Sequence, residues 1–203
     1  MDSGNSGGVL VLQDLQSIFD LNGVVYQNAV AHGWWDKDIR MEELRVMLHT
    51  ELSEAVDEFR CRKPDLYCRM DGDKIRPDGT LIELADWVIR LLNYVGGKYK
   101  DIISDASFHG FLDYTPSKEW CFAPDRSTPV VGGVYTDAFI DMLSSLHKIT
   151  DELFDDGTFL SVYNGIHLIY TWAIFRGQDL HSAVVMKHTY NLTRQYRHGN
   201  KRV

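Results

Sequence analysis

Cysteine is scarce in this sequence of 203 residues, and its spacing is uninformative for metal binding. The chain contains Cys61, Cys68 and Cys121, an odd number, and no C-x-x-C pair. This pattern predicts neither a disulfide framework nor a cysteine-ligated zinc site, and it favours a reducing compartment. We therefore expect a cytoplasmic protein.

Long apolar runs and an excess of positive charge are also missing. No stretch approaches the roughly 18 apolar residues of a membrane span, and the first residues lack the basic and apolar segments of a signal peptide. Lys and Arg number 21 against 29 Asp and Glu, for a net charge of -8. A protein that binds long nucleic acid needs the opposite excess to neutralise phosphates. Small anions remain possible ligands, because a bound divalent cation reverses the local field.

The apolar spacing predicts an all-α fold. Strand-like alternation is nearly absent, and 44% of the residues are apolar, which suffices for one buried core. We predict a Gly/Ser-rich disordered segment at 1–8 and then a single domain over 9–203, built as a helical bundle of about six helices. The predicted helices cover about 9–31, 39–60, 80–97, 136–154, 160–175 and 180–196. The polar segment 71–79 is predicted to be a loop, and 101–134 an irregular segment.

Residues 101–177 have two interpretations. They form either an inserted helical hairpin or a degenerate second repeat, since Met47-Leu48-His49 resembles Ser145-Leu146-His147. Under the second interpretation the copy has lost its acids, because Ile149 stands where Glu51 would be.

Two pairs of acidic residues are the strongest chemical signal. Glu51 and Glu54 lie three residues apart on the second predicted helix, and Glu83 and Asp86 repeat that spacing on the third. At about 100° per residue, both pairs border the apolar stripe of their helix. Carboxylate oxygens are the ligands that Mg²⁺ prefers, and four crowded carboxylates without a cation would raise each other's pKa. The alternatives are a solvated acidic face and, for Thr80-x-x-Glu83, a capping box.

The C-terminal helix carries a basic stripe. Lys187, Asn191 and Arg194 fall within about 60° of one another, and such cations suit the phosphate groups of an anionic substrate. Trp34 and Trp35 precede the second helix, where a ring can stack on a base. The alternatives are a solvated basic helix end and tryptophans that seal the bundle. The candidate substrate contacts are Lys187, Asn191, Arg194, Tyr190, Arg197 and Trp35.

Taken together, these motifs resemble the MazG-related, all-α nucleoside triphosphate pyrophosphohydrolases. The hallmark of that family is Glu-x-x-Glu on one helix and Glu-x-x-Asp on the next, here Glu51/Glu54 and Glu83/Asp86 with 28 residues between the pairs. His32-Gly-Trp-Trp-Asp36 and the segment 187–199 resemble the phage-type MazG-like subgroup. The resemblance covers about residues 20–100 and 178–202. One departure is Thr50, which stands where many relatives carry an additional glutamate.

The resemblance implies an enzyme that splits a nucleoside triphosphate into a monophosphate and pyrophosphate. It implies a four-helix core, and the segment 101–177 then resembles the extra helical hairpin of the related dimeric dUTPases. Glu51, Glu54, Glu83 and Asp86 would be both metal ligands and catalytic residues, with Mg²⁺ as cofactor and Mn²⁺ as a possible substitute. A homodimer is the expected assembly.

Several other classes of phosphate chemistry are excluded by missing motifs. The sequence has no G-x-x-x-x-G-K-[ST] loop, no His-Asp dipeptide and no Glu-x-x-His pair. The remaining alternative is a catalytically silent helical protein that binds a nucleotide or a partner chain. The preferred base does not follow from the sequence, because base specificity depends on hydrogen bonds in the pocket.

Overall fold

The computed structural model describes residues 15–99, 132–155 and 159–197, and over 132–137 it describes the backbone alone. These residues form six helices and one two-stranded sheet, and the helical bundle predicted from the sequence is confirmed. In chain order the elements are α1 Asn22–Ala31, α2 Met41–Arg60, β1 Tyr67–Asp71, β2 Lys74–Asp78, α3 Thr80–Lys98, α4 Gly132–Asp151, α5 Leu160–Phe175 and α6 Leu180–Leu192. The predictions for 1–8 and for 101–131 lie outside the described residues.

The first predicted helix is interrupted by a turn. Residues 15–19 are helical, and α1 begins only at Asn22. The Asn22 side-chain amide donates a hydrogen bond to the Phe19 carbonyl oxygen at 2.7 Å. Because a short amide side chain offers the backbone an alternative partner, it favours a turn at this position over a continuous helix.

The prediction of a loop over 71–79 is wrong, since residues 71–78 belong to a β-hairpin. β1 and β2 pair antiparallel, with Tyr67 opposite Asp78 and Asp71 opposite Lys74. β1 is mostly exposed and β2 changes from exposed to buried along its length, so neither strand has the alternation that marks a half-buried strand. Pro77 lies within β2, which a two-stranded sheet tolerates because both of its strands are edges.

α3 is the central helix of the bundle. It packs against α1, α2, α5 and α6, and most of its residues are buried, as its wide apolar arc predicts. The indole of Trp87 reaches the second half of the chain, where its N–H donates to Thr150 Oγ1 at 3.3 Å. A Cβ on Gly165 would lie only 2.5 Å from the Trp87 ring, so α5 can approach α3 this closely only with glycine there.

The remaining helix boundaries differ from the prediction by a few residues. α4 begins at Gly132 and ends at Asp151, and α6 ends at Leu192. α4 packs against both α2 and α5, so it joins the two halves of the described chain. Among the described helices, none has the length and apolarity that crossing a membrane requires.

Candidate metal centre and adjoining cavity

Three of the four predicted carboxylates meet between α2 and α3. Glu51, Glu83 and Asp86 each offer an oxygen atom, and these oxygens lie within 4.8 Å of one another. Glu51 and Glu83 are 2% and 3% exposed, and the Asp86 side chain is 13% exposed. The pairing of the two helices and the three-residue spacing on α3 bring these groups to one point at the edge of the core.

The fourth carboxylate, Glu54, lies beside this cluster and is exposed. Its charge still acts on Glu51 and Glu83, where it favours the protonated form of both. Glu54 therefore borders the solvent side of the cluster.

Glu83 does not form the capping box that its sequence allowed. α3 begins after Gly79, which occupies the N-cap position with φ +116° and provides no side-chain cap. Within the described part of the chain, Thr80 Oγ1 has no hydrogen-bond partner. The Glu83 carboxylate is thus free of a capping role and faces the cluster.

Two cations and one amide contact the three carboxylates. The Lys187 ammonium, on α6, is 3.2 Å from Asp86 Oδ2 and 3.6 Å from Glu83 Oε2. Asn191, one turn later, donates to Asp86 Oδ1 at 3.4 Å. On the opposite side, Arg90 Nε donates to Glu51 Oε1 at 2.5 Å. Arg90 is the site residue that the sequence analysis missed, and its position one turn after Asp86 was the available signal.

Burial makes two of the acids weak. Burial and the neighbouring Asp86 charge raise the pKa of Glu51 to about 8, and burial raises the pKa of Glu83 to about 7 despite Lys187. For Asp86, burial acts in the same direction, but Lys187 and Arg90 outweigh it and hold the pKa below its usual value. The cluster therefore retains protons near neutral pH that a divalent cation would displace.

A cavity of about 130 Å³ opens beside the cluster, between α1, α2, α3 and α6. Asp86, Arg90 and Asn191 line it next to the cluster, and Asn28 and Trp34 are among its other lining residues. The Asn28 Oδ1 and Asn191 Oδ1 atoms are buried without a hydrogen-bond partner among the described residues. The cavity thus combines apolar walls with unpaired acceptors, which is typical of a small-molecule site.

Comparison of the chain with protein-family models, with curated proteins and with solved structures gave no match. The family resemblance therefore depends on the sequence motifs alone. What the site can do chemically is inferred from the geometry of the carboxylates, the cations and the cavity.

Trp34, rather than Trp35, lines the cavity. The Trp35 indole donates to Asn93 Oδ1 at 2.8 Å and packs edge-on against Tyr26. A Cβ on Gly97 would lie 2.2 Å from the Trp35 ring, so α3 accommodates this ring only at a glycine. Trp35 thus fits the alternative in which a tryptophan seals the end of the bundle.

The other C-terminal candidates lie in two different places. Arg197 lines the cavity and donates from Nε to the Gly33 carbonyl oxygen at 3.1 Å. Tyr190 instead donates to Asp71 Oδ2 on the hairpin at 2.5 Å, and the Arg194 guanidinium lies over its ring at 5.8 Å. Lys187 and Asn191 reach the carboxylates, whereas Tyr190 and Arg194 lie beside the hairpin.

The donor set fits a hard divalent cation. Mg²⁺ binds oxygen at about 2.0–2.1 Å, so two oxygens on opposite sides of one ion are about 4.2 Å apart, and small side-chain adjustments within the 4.8 Å cluster suffice. Glu83 Oε2 is buried and has no hydrogen-bond partner in the described segments, and the Lys187 ammonium with which it forms an ion pair is 3.6 Å away. This loose contact leaves the oxygen incompletely satisfied, and a divalent cation coordinated to it would satisfy it better.

The stabilising contribution of Glu51 and Glu83 in the metal-free protein is expected to fall as the pH rises from about 5 to about 8. The pKa values of Glu51 and Glu83 in the folded state, about 8 and about 7, exceed those of an unfolded chain. These two groups therefore bind more protons in the folded state across this interval, and their contribution to the free energy of unfolding falls with pH until both have ionised. Burial lowers the pKa values of His147, His167 and His188, and these groups act in the opposite direction. The lowered pKa of Asp86 has its effect at lower pH, outside this interval.

Thermal unfolding in EDTA at several pH values measures this trend. With Mg²⁺ the increase in Tm should grow over the same interval, because the ion binds ionised carboxylates. The metal-free wild type should lose stability relative to a Glu51→Gln, Glu83→Gln protein as the pH rises, and the absence of such a loss would contradict the raised pKa values.

Proposed function

We propose that this protein is a nucleoside triphosphate pyrophosphohydrolase that uses Mg²⁺, or Mn²⁺ in its place, to form a nucleoside monophosphate and pyrophosphate. The observation that supports it is the meeting of Glu51, Glu83 and Asp86 within 4.8 Å, beside Lys187 and next to a cavity that Asp86 lines. Groups that would bind a metal ion and phosphate are thereby adjacent to a space that would hold the nucleoside.

A divalent ion held by these carboxylates would neutralise charge on the leaving pyrophosphate and lower the pKa of the attacking water. The Lys187 ammonium would donate to phosphate oxygens, since it lies 3.2 Å from Asp86 at the same point. Asn191 would orient the phosphate or the sugar through its amide. Glu54 is exposed beside the cluster, and there its carboxylate would orient the water and accept its proton.

The nucleoside would occupy the cavity. Trp34 lines its wall, and Asn28 Oδ1 provides a buried acceptor that a donor on a base or a sugar would satisfy. Because the acceptor remains unpaired in the described structure, a ligand that donates to it gains a hydrogen bond without displacing a protein partner.

Asn28→Ala is expected to raise KM by roughly tenfold with little change in kcat. The substitution removes one hydrogen bond of about 1–1.5 kcal/mol, and a contact remote from the reacting phosphorus stabilises substrate and transition state alike. Steady-state kinetics with the preferred nucleotide measure both constants. Gln27→Ala, which truncates the neighbouring exposed amide on α1, is the matched control and should leave KM unchanged.

The direct test is turnover of a panel of nucleoside triphosphates, with pyrophosphate and monophosphate quantified with and without Mg²⁺. Hydrolysis in ¹⁸O-labelled water should place the label in the monophosphate, because attack is expected at the α-phosphorus. Release of inorganic phosphate alone, or no turnover of any nucleotide, would refute the proposal.

The silent alternative also has an observation in its favour. Arg90 and Lys187 already pair with the carboxylates, so the cluster is partly neutralised without a metal. A silent nucleotide-binding protein would show thermal stabilisation by a non-hydrolysable nucleotide but no pyrophosphate release, and a partner-binding protein would show neither.

Assembly and location stay predictions from the sequence. We propose that the protein is a homodimer in the cytoplasm. Light scattering coupled to size-exclusion chromatography measures the oligomeric state.

A further inference from the structure

Two histidines face each other where α2 packs against α4. The Nδ1 atoms of His49 and His147 are 2.8 Å apart, and the ring planes differ by only 12° with centroids 5.1 Å apart. On the far side of the His49 ring, Nε2 lies 2.9 Å from Asp151 Oδ1. The two Nδ1 atoms therefore face each other at hydrogen-bond distance, and this contact requires one proton between the two rings.

Asp151 sets the tautomer of His49. An ionised carboxylate only accepts hydrogen bonds, so His49 carries its proton on Nε2 and directs the Nδ1 lone pair at His147. A carboxylate behind an imidazole is the arrangement that orients histidine ligands in metal sites. His147 can move its own proton from Nδ1 to Nε2 through solvent, which frees a second lone pair without any net loss of a proton.

We propose that His49 and His147 bind one transition-metal ion of the zinc class, in which the ion takes the place of the shared proton. Zinc binds imidazole nitrogen at about 2.0–2.1 Å, so two tetrahedral nitrogen ligands are about 3.3 Å apart. The two Nδ1 atoms are 2.8 Å apart and face each other head-on, so binding requires the rings to separate by about 0.5 Å and to rotate until both lone pairs converge on the ion. The His49 side chain is 31% exposed, which leaves access for the ion and for water as its further ligands.

This site is separate from the carboxylate cluster and does not depend on the proposed function. Positions 49 and 51 are about 200° apart around α2, so His49 and Glu51 point to different sides of the helix. Imidazole favours zinc, copper and nickel, whereas carboxylates favour magnesium and manganese. An ion held by α2 and α4 would link the two halves of the described chain and stabilise the folded state.

The test is a calorimetric titration with Zn²⁺ of the full chain carrying Asp86→Asn, which weakens binding at the carboxylate cluster. We expect one equivalent of zinc to bind and the Tm to increase, with little competition from excess Mg²⁺. Adding His147→Gln should weaken zinc binding at least tenfold. Adding His181→Gln instead, a matched change on α6, should leave zinc affinity unchanged.

Equal zinc affinity with and without His147→Gln, or no zinc binding by the Asp86→Asn protein, would overturn the proposal. If the His147→Gln protein does not fold, His49→Gln removes the other ligand and has the same expected result. Copper-loaded Asp86→Asn protein gives an independent measurement, since its electron paramagnetic resonance spectrum should show coupling to two imidazole nitrogens. Coupling to none would also overturn the assignment.

Discussion

Asp86→Asn is expected to lower kcat/KM for Mg²⁺-dependent pyrophosphate release by roughly 10²–10³-fold, and this is the largest effect on activity that we predict. Asp86 offers one oxygen to the proposed metal site and accepts hydrogen bonds from both Lys187 and Asn191. Losing a charged metal ligand removes several kcal/mol of transition-state stabilisation, and each 1.4 kcal/mol corresponds to a factor of about ten. The amide keeps the shape of the side chain, so packing around α3 should be preserved.

The measurement is initial-rate kinetics of pyrophosphate release, with circular dichroism to verify folding. Asp57→Asn makes the same chemical change at an exposed position of α2 and should retain full activity. A folded Asp86→Asn protein that releases pyrophosphate at the normal rate would refute the assignment of the cluster as the catalytic site.

Lys187→Met is expected to lower the free energy of unfolding by about 3–5 kcal/mol, the largest effect on stability that we predict. The ammonium is only 3% exposed and lies between Glu83 and Asp86. Removing one partner leaves the other buried charges uncompensated, which is much more costly than the net contribution of the ion pair. Methionine fills similar space, so the loss reflects charge rather than a cavity.

Urea unfolding of the metal-free protein measures this loss, and Lys148→Met on the exposed side of α4 is the control. Mg²⁺ should stabilise the Lys187→Met protein more than the wild type, because the ion supplies the missing positive charge. An unchanged urea midpoint would show that Lys187 is not the counter-ion of these acids.

The sequence predicted those features of the site that follow from helical periodicity. The spacing of Glu83 and Asp86 along a helix with a wide apolar arc places both acids at the edge of the core, and the structure has them there. Lys187 and Asn191 were found in the same way, one turn apart on α6. Periodicity identifies the face of a helix that a residue occupies, but it did not indicate that Lys187 and Asn191 would contact Asp86, which lies on another helix.

Features that depend on how elements pack were not predictable. Arg90 on α3 contacts Glu51 on α2. The spacing within α3 places Arg90 on the face of Asp86 but does not indicate which residue of α2 it pairs with. Trp34, rather than Trp35, lines the cavity because of the path that the connector takes after α1. Gly33, with φ +77°, sets this path. The hairpin was not predicted because neither of its strands alternates between exposed and buried positions.

The central position of α3 has a consequence for how substrate would enter and leave. Glu83 and Asp86 belong to the helix whose amides should exchange with solvent most slowly, because opening it requires disrupting its contacts with four neighbouring helices. Asn28 belongs to α1, a shorter helix in which only Val25 and Ala29 are buried, and we expect α1 to open at lower free energy than α3. α1 is therefore expected to open and close more readily than α3, which carries Glu83 and Asp86. Motion of α1, rather than of the carboxylates, would then set the rates at which a nucleotide enters and leaves.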